Sequence, residues 1–278
     1  MIVVVSPHLD DAVFSCAGFM AHAVRRGETV RVVTAFTVGV DHDRRRVEDR
    51  VALDLLGVEH HHLGLLDAPE RLGLGRTHEA LVEHARIEPL DVERVRATIA
   101  SALAPLPFST RIYGPLGVGG HVDHLTVHAA LRDRETAVFY EDRPYALVPG
   151  AVHARLVEAC ITLVGADPDH APLPAEPGAL EASFAALPHL RAFLATDAEQ
   201  RRRSLAWIEQ RHREPRAACA MEPMLPPRAA RLEVHEIDPE SAALARKAAS
   251  AYASQGDLLP AELPSLERMY HPTPHGSR

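Results

Sequence analysis

The sequence predicts a Rossmann-like, three-layer α/β/α fold with a mostly parallel sheet, on two observations. Residues 2–5 are a continuous β-branched run, which is typical of a parallel strand buried on both faces. Apolar residues then recur at helical spacing from Val13 to Val24, before a second apolar run at 30–36. A strand, a helix and a strand within about 35 residues form a βαβ unit, whose strands are parallel and whose crossover is right-handed.

The segments that follow keep this alternation. A charged helix over 44–56 ends at Gly57, because glycine readily adopts the left-handed conformation that closes a helix. Residues 67–90 are rich in polar residues, proline and glycine, and are predicted as a loop. Further predicted elements are a strand over 58–63, a helix over 92–103 with Asp91 as its N-cap, a strand over 111–113, a helix over 121–131, a strand over 136–140, a strand over 232–237 and a helix over 239–255.

Length and composition favour one large domain. The chain has 278 residues, and 46% of them are hydrophobic, enough for a sizeable core. We predict a single domain over residues 1–278, with a sheet core that carries the functional site at 1–145 and a mostly helical C-terminal part at 146–278 packed on it.

Charge and terminal sequence narrow the classes of partner. A formal net charge of −8 argues against nucleic acid or an anionic membrane as the main partner. No apolar run reaches about 18 residues, so no membrane span is predicted. The chain opens on a strand rather than a signal peptide, and its 3 cysteines form no CxxC pair, so reduced thiols in a cytoplasmic protein are expected. The Arg- and Ala-rich, Lys-poor composition is typical of a bacterial source.

Acidic and imidazole side chains follow several of the predicted strands. In an open parallel sheet, ligands bind beyond the carboxyl ends of the strands, so these side chains are expected on one edge. The clusters are His8, Asp10 and Asp11; His121, Asp123 and His124; and Tyr140, Glu141 and Asp142.

The first cluster also has a simpler explanation, in which its residues have no catalytic role. An aspartate at a helix start often serves only as a cap, and a single histidine is usually a surface residue. Neither explanation accounts for a histidine three residues before Asp11 together with His121 and His124 at the same predicted edge.

The combination suits a catalytic zinc site. Such a site keeps three protein ligands and one open position, and two imidazoles with one carboxylate are a common set. His8, Asp11 and His124 supply that set. Asp10 lies between the first two ligands and is placed to act as general base toward water. His121 is then expected to stabilise the oxyanion or protonate the leaving amine, with Asp123 holding its tautomer.

The two motifs together resemble the PIG-L/LmbE-like zinc-dependent N-deacetylases. Residues 6–11 read SPHLDD and residues 120–124 read GHVDH, while the family signature is His-Pro-Asp-Asp-Glu followed later by His-x-Asp-His. The resemblance continues in order through Arg45 and Glu48, Leu56-Gly57-Val58, Leu63-Gly64 and Asp67, and Lys247, Tyr252, Ser254 and Gln255.

The resemblance implies an enzyme that removes an N-acetyl group from an amino sugar, or from a small molecule or glycoside that contains one. It assigns zinc, or another divalent metal, to the same three ligands, and Asp10 to the base. It also implies sugar contacts by Arg45 and Asp67. Homo-oligomers are common among such enzymes, and the sequence leaves the oligomeric state open.

Two features depart from the family pattern. Leu9 replaces the usual proline, and Ala12 replaces the usual glutamate after the aspartate pair, which removes neither a ligand nor the base. The segment 140–145 resembles a variant found in members with bulkier substrates, so pocket contacts are predicted there, with the alternative that its acids merely end a strand. The predicted contacts are Tyr140, Glu141, Asp142 and Arg143.

Two other classes remain as alternatives. A nucleotide-binding Rossmann oxidoreductase or transferase would share the fold, but its first turn should read GxGxxG rather than carry two acids that repel phosphate. A non-catalytic metal-binding protein should show a closed site with four ligands, in which a base such as Asp10 has no purpose.

Overall fold

The computed structural model describes residues 1–165, 180–181, 184, 197–216, 227–255 and 265–273. The described strands are β1 (Ile2–Ser6), β2 (Val30–Val38), β3 (Glu59–Leu66), β4 (Arg111–Pro115), β5 (Ala137–Tyr140), β6 (Ile161–Leu163), β7 (Arg228–Glu236) and β8 (Leu266–Pro272). They form one 8-stranded sheet in the order β3-β2-β1-β4-β5-β8-β7-β6.

The described helices alternate with these strands through the first half of the chain. They are α1 (Asp11–Arg25), α2 (His42–Leu56), α3 (Ala68–Leu72), α4 (Pro89–Leu103), α5 (Val122–Arg132), α6 (Ala151–Glu158), α7 (Ala198–Arg213) and α8 (Pro239–Ala249), with a π-helical turn at Glu79–His84 and 3₁₀ turns at Tyr145–Leu147 and Ala253–Gln255. None of the helices within the described ranges is long and apolar enough to cross a bilayer.

The strand order reverses at β1. This strand pairs in parallel with β2 on one side and with β4 on the other, where Val3 lies beside Ile112. The chain therefore builds the sheet outward in one direction through β2 and β3 and in the other through β4 and β5. Such a reversal opens a crevice at the carboxyl ends of the two central strands, which is where ligands bind in sheets of this kind.

Helices cover both faces of the sheet. Val3 and Val5 of β1 belong to a buried cluster with apolar residues of α4, α5 and α6. Ile2 and Val4 point to the opposite face and pack with α1, α2 and α8. Because β1 is buried on both faces, every residue from Ile2 to Ser6 is apolar or small, as the β-branched run predicted. The three-layer α/β fold is confirmed.

The C-terminal part adds strands as well as helices. In the described portion of residues 146–278, the strand predicted over 232–237 corresponds to β7, while β6 and β8 were not predicted; all three extend the sheet. The β8 strand runs antiparallel to both β5 and β7 and joins the two parts of the sheet. Only Ala230 of β7 is buried, so this strand lacks the apolar run of a central strand. The division into domains is not tested by these contacts and stays a prediction.

Two local predictions are also corrected. The helix predicted to start after Asp91 begins at Pro89, because proline fits the first helical turn, where its missing N–H is not needed. Asp91 instead accepts a hydrogen bond from Arg71 Nε at 2.7 Å. The segment 67–90, predicted as a loop, contains α3, whose N-cap Asp67 accepts from the Ala68 N–H at 2.9 Å.

The two cysteines in the described residues match the expectation of reduced thiols only in part. Cys16 is free and buried in α1, whereas Cys160 is disulfide-bonded.

A core substitution beneath the site gives a stability prediction. Leu131 of α5 is fully buried and packs so tightly over Gly114 of β4 that a Cβ on this glycine would lie 2.3 Å from Leu131 Cδ1. Leu131→Ala should lower the free energy of unfolding by about 2–5 kcal/mol, because it leaves a cavity at this contact. Leu90→Ala, at a side chain that is 81% exposed, should change it by less than about 0.5 kcal/mol. Equal urea midpoints for the two variants would contradict this packing.

Candidate active site

The turn after β1 holds His8 and Asp11 in a fixed arrangement. Ser6 Oγ donates to the His8 carbonyl at 2.7 Å and accepts from the Ala12 N–H at 3.0 Å. The His8 N–H donates to Asp11 Oδ2 at 2.8 Å. These local bonds bring the His8 ring and the Asp11 carboxylate to the same side, with His8 Nδ1 3.2 Å from Asp11 Oδ2.

Asp10 occupies the N-cap of α1 without acting as a cap through its side chain. Its carbonyl accepts from the Phe14 N–H, but within the described chain its carboxylate makes no capping hydrogen bond. Oδ1 of Asp10 instead accepts from Arg45 Nη2 at 3.1 Å. Capping therefore does not explain this carboxylate, which is buried beside the metal-ligand candidates.

The second half of the site comes from the start of α5, directly after β4. His121 is the N-cap, and its Nδ1 accepts from the Asp123 N–H at 3.2 Å. His124 lies in the first turn, and its Nε2 is 3.3 Å from Asp11 Oδ2. Because β1 and β4 are neighbours in the sheet, the two motifs meet at one edge although more than a hundred residues separate them.

His8, Asp11 and His124 form a group that fits a divalent metal. All three are buried, and one ligand atom of each lies within 4.8 Å of the others. Ligand atoms about 2.0–2.2 Å from a tetrahedral metal are separated by about 3.3–3.6 Å. The separations of Asp11 Oδ2 from His8 Nδ1 and His124 Nε2, 3.2 and 3.3 Å, match that spacing.

A buried carboxylate holds the outer nitrogen of each imidazole. His8 Nε2 lies 3.1 Å from Asp123 Oδ2 and 3.3 Å from Asp67 Oδ1. His124 Nδ1 lies 2.6 Å from Asp142 Oδ1. Such carboxylate–histidine pairs are typical of metal-binding histidines, because they orient the ring and raise the basicity of the nitrogen that faces the metal.

The electrostatics of the cluster favour positive charge. Burial lowers the pKa of His8, but hydrogen bonds with Asp11, Asp123 and Asp67 raise it well above its ordinary value. Burial also lowers the pKa of His124, yet Asp11 and Asp142 raise it overall. Burial raises the pKa of Asp11, whereas the nearby histidines hold it well below its usual range. A site that retains protons this strongly also attracts a cation that can replace them.

His121 has the opposite tendency. Burial, together with the positive charge of His8 and His124, lowers its pKa well below the ordinary value. The neutral ring carries its proton on Nε2, because Nδ1 accepts from the backbone. His121 is therefore a neutral hydrogen-bond donor beside the cluster, with its ring centroid 5.0 Å from that of His8.

Asp123 has a different role from the one predicted. Its carboxylate was expected to hold the tautomer of His121, but it accepts from His8, from the Ala68 N–H at 3.0 Å and from Arg71 Nη2 at 2.7 Å. The contact to His121 comes from the backbone N–H of Asp123. The carboxylate thus orients the metal-ligand candidate His8 and links it to Arg71.

The site opens into a cleft. Arg45 and Asp67, both predicted as sugar contacts, lie in its wall. Burial raises the pKa of Asp10, and the adjacent Arg45 guanidinium counteracts part of that shift. The lining residues are His8, Asp10, Asp11, Phe14, Arg45, Asp67, Pro69, Arg76, Leu81, His121, His124, Pro144, Tyr145 and Gln255.

The predicted pocket contacts at 140–143 are not among these lining residues. Tyr140 donates its hydroxyl to the Val5 carbonyl at 3.0 Å, and Glu141 accepts from Tyr270 at 2.7 Å. The Arg143 guanidinium donates to the Leu266 carbonyl. Of these four side chains, Asp142 contacts the site, behind His124, and the following Pro144 and Tyr145 line the cleft.

Several wall residues were missed from the sequence. The Tyr145 ring meets the edge of His124 at a centroid distance of 5.7 Å. It packs so closely on Gly119 that a Cβ there would lie 2.5 Å from Tyr145 Cγ, and Gly119 has a φ of +85°. The glycines of 117–120 were a visible signal of close packing, but their partner could not be read from the sequence.

The other histidines with possible ligand spacing have structural partners. His128 is buried one turn beyond His124, and its Nδ1 lies 3.0 Å from the Pro115 carbonyl. In the run 60–62, His62 Nε2 lies 2.7 Å from Asp49 Oδ2 beneath α2. Neither His128 nor His62 belongs to a group that could hold a metal among the described residues.

Comparison with known proteins agrees with the resemblance seen in the motifs. The model of the family described as PIG-L, GlcNAc-PI de-N-acetylase, matches residues 3–134. Residues 3–134 are a PIG-L-family domain. A 2'-N-acetylparomamine deacetylase from Streptomyces fradiae is 34% identical, in a match that covers 52% of this chain and 57% of that protein. The match thus spans little more than half the length of this relative.

Solved structures share the fold over the whole chain. The crystal structure of an A40926 pseudoaglycone deacetylase has a TM-score of 0.56 at 20% identity, over 100% of this chain and 98% of that one. A deacetylase in complex with teicoplanin has a TM-score of 0.59 at 19% identity, over 98% and 97%. The PIG-L-family domain contains all three metal-ligand candidates, whereas Asp142, Tyr145 and Gln255 lie beyond it.

Proposed function

We propose that this protein is a metal-dependent N-deacetylase acting on an N-acetylated amino sugar within a small molecule or glycoside. The observation that carries the proposal is that a buried group of His8, Asp11 and His124 lies beside the Asp10 carboxylate in an open cleft. This carboxylate makes no capping hydrogen bond to α1. Three ligands with an open position and a separate base suit hydrolysis better than a closed structural site.

The donor atoms of the three ligand candidates indicate which metals the site would bind. Two imidazoles and one carboxylate suit zinc, and iron or another divalent transition metal can use the same set. When bound, such a metal supplies a Lewis acid that polarises an amide carbonyl and acidifies water.

The surrounding side chains have distinct roles in moving protons. Asp10 takes a proton from the attacking water at its carboxylate, while Arg45 holds that carboxylate in place through Oδ1. His121, neutral and protonated on Nε2, donates a hydrogen bond to the carbonyl oxygen as negative charge develops there. The water oxygen bonds to the carbonyl carbon, and the amide C–N bond then breaks as the nitrogen receives the proton that Asp10 took from water, which yields acetate and a free amine.

The amino-sugar assignment rests on the relative and on the cleft. The Streptomyces fradiae protein is named for an N-acetylated paromamine, which is an amino-sugar compound. Phe14 and Tyr145 offer apolar faces in the cleft wall, and Arg45, Asp67 and Gln255 offer polar groups beside them. A sugar ring has the same combination of apolar faces and hydroxyl-bearing edges.

A nucleotide-binding function is disfavoured by the same geometry. In that class, the turn after β1 brings backbone N–H groups close to a pyrophosphate. Here Asp10 and Asp11 are buried at this turn, and the His8 N–H is already bound to Asp11. The turn therefore presents carboxylates where a nucleotide phosphate would bind.

An acetate-release screen tests the proposal. The protein should be stripped with a chelator, reconstituted separately with zinc, iron, manganese or cobalt, and incubated with N-acetylglucosamine glycosides and 2'-N-acetylparomamine. We expect acetate release from at least one amino-sugar compound, with loss of release after chelation and recovery on metal addition. Release that persists in metal-free protein would contradict metal dependence, and retention of the acetyl group in every compound by the metal-loaded protein would contradict the substrate class.

A further inference from the structure

Asp142 is a buried carboxylate with three polar contacts around the site. Its Oδ2 accepts from the Gly117 N–H at 2.7 Å and from the Val118 N–H at 2.9 Å. Its Oδ1 lies 2.6 Å from His124 Nδ1. The side chain is fully buried, so these contacts are made without competition from solvent.

The two backbone contacts fix which way the carboxylate faces. A backbone N–H can only donate, so the atom opposite Gly117 and Val118 must be an acceptor. With Oδ2 held in this way, Oδ1 is directed at His124. A carboxylate oxygen accepts, so His124 Nδ1 must carry the proton, and the lone pair of the neutral ring lies on Nε2.

We infer that Asp142 is a positioning residue that sets the tautomer of His124 and so makes its Nε2 available to the metal. The inference rests on the proposed metal site, because His124 Nε2 faces Asp11 Oδ2 at 3.3 Å within that site. It replaces the predicted role of Asp142 in substrate binding.

Asp142 also ties the ligand to the segment that carries His121. Gly117 and Val118 lie in the loop between β4 and α5, and this loop leads directly to His121. One carboxylate therefore anchors both the metal-ligand candidate and the loop before the neutral donor. Asp142 follows β5 and lies outside residues 3–134, so this part of the site is supplied from beyond the family-matched region.

Asp142→Asn separates this role from simple packing. The asparagine has nearly the same shape, and the two backbone donors require its oxygen to face Gly117 and Val118. Its NH₂ group then faces His124 Nδ1, which must accept, so the neutral ring is protonated on Nε2. The same replacement beside a catalytic histidine produces a wrong tautomer in serine proteases.

Metal affinity is the first measurement. We expect Asp142→Asn to bind zinc about 10- to 100-fold more weakly than wild type in competition with a chromophoric chelator. Asp49→Asn is the matched control, because Asp49 is also buried, lies 2.7 Å from His62 Nε2 and accepts from Tyr252, and it is not among the residues that line the cleft. Zinc affinity in the control should equal that of wild type.

Two further measurements distinguish positioning from structural support. Metal-free Asp142→Asn should melt close to metal-free wild type, while the rise in melting temperature on adding zinc should be reduced. In metal-free wild type, ¹⁵N NMR of the neutral His124 ring should show protonated Nδ1, with the signal assigned by its loss in His124→Gln. This measurement does not depend on whether the variant folds.

The outcomes separate this inference from the proposed function. Wild-type affinity in folded Asp142→Asn, or protonation on Nε2 in wild type, overturns the role of Asp142 even if acetate is released. Zinc binding weakened as predicted supports it even if no amino-sugar compound is hydrolysed. Absence of zinc binding in wild type overturns the metal site and, with it, this inference.

Discussion

Asp10→Asn is expected to retain stoichiometric metal and to lower kcat for acetate release by about 10²- to 10⁴-fold, the usual contribution of a general base. The amide cannot take a proton from water, but it has the shape of the carboxylate and can still accept from Arg45 through its oxygen. Metal content measured by mass spectrometry and steady-state kinetics on the same preparation would check both parts.

The neighbouring aspartate provides the control for this prediction. Asp11 is one residue further along, is similarly buried, and lies 3.2 and 3.3 Å from the two candidate ligand nitrogens. Asp11→Asn should therefore lose metal as well as activity, whereas Asp10→Asn should lose activity alone. Turnover of Asp10→Asn at the wild-type rate would show that another group accepts the proton.

His124→Ala should abolish metal binding at micromolar concentrations of free metal and, with it, acetate release. The substitution removes one of the three ligand candidates. Removing only the hydrogen-bonding partner of a ligand weakens metal affinity by about 10- to 100-fold, and we expect a larger loss here. Calorimetric titration of the metal-free variant with zinc would measure the loss.

His128→Ala is the matched control on the same helix. His128 is also buried, but its Nδ1 faces the Pro115 carbonyl rather than the metal group. Its removal should lower stability and leave the metal stoichiometry unchanged. If His124→Ala bound zinc as tightly as His128→Ala, His124 would not be a ligand.

Burial on both faces explains why the first half of the fold could be predicted. The run at residues 2–5 and the helical spacing after it are local patterns, and they correspond to β1 and α1. The same holds for β4 and α5, which carry the second motif. Because all these strands are parallel, their carboxyl ends share an edge, and the meeting of the two motifs followed from that rule.

Among the C-terminal strands, the prediction over 232–237 found only the second half of β7 and missed β6 and β8, because the support of these strands is not local. Most residues of β7 are exposed or half-buried. The β8 strand carries the buried Glu267, whose carboxylate accepts from the N–H groups of Gly18 and Phe19 in α1. A charged residue at that position suggests an exposed strand when the sequence is considered alone. Only the pairing of β8 with β5 and β7 shows that it lies inside the sheet.

The sequence contains a start signal for the short helix α3, although this segment was predicted as a loop. Asp67 followed by Ala68 and Pro69 is a capping residue with proline in the first turn, a pattern typical of a helix start. This helix places the Ala68 N–H and Arg71 against Asp123, so the missed helix concealed the partners of that carboxylate.

The sequence by itself determined the chemical identity of the site: a histidine and two aspartates on one tight turn, and two histidines at the start of a later helix, are local patterns whose donor atoms suit a metal and a base. Only the tertiary structure decided how each group is oriented. Asp123 and Asp142 determine which nitrogen of His8 and His124 faces inward. The Asp10 carboxylate makes no capping bond because Ser6 Oγ accepts from the Ala12 N–H and Arg45 binds the carboxylate. Hydrogen-bond direction is set by the partner on the other side, and in a parallel sheet that partner comes from a distant strand or loop.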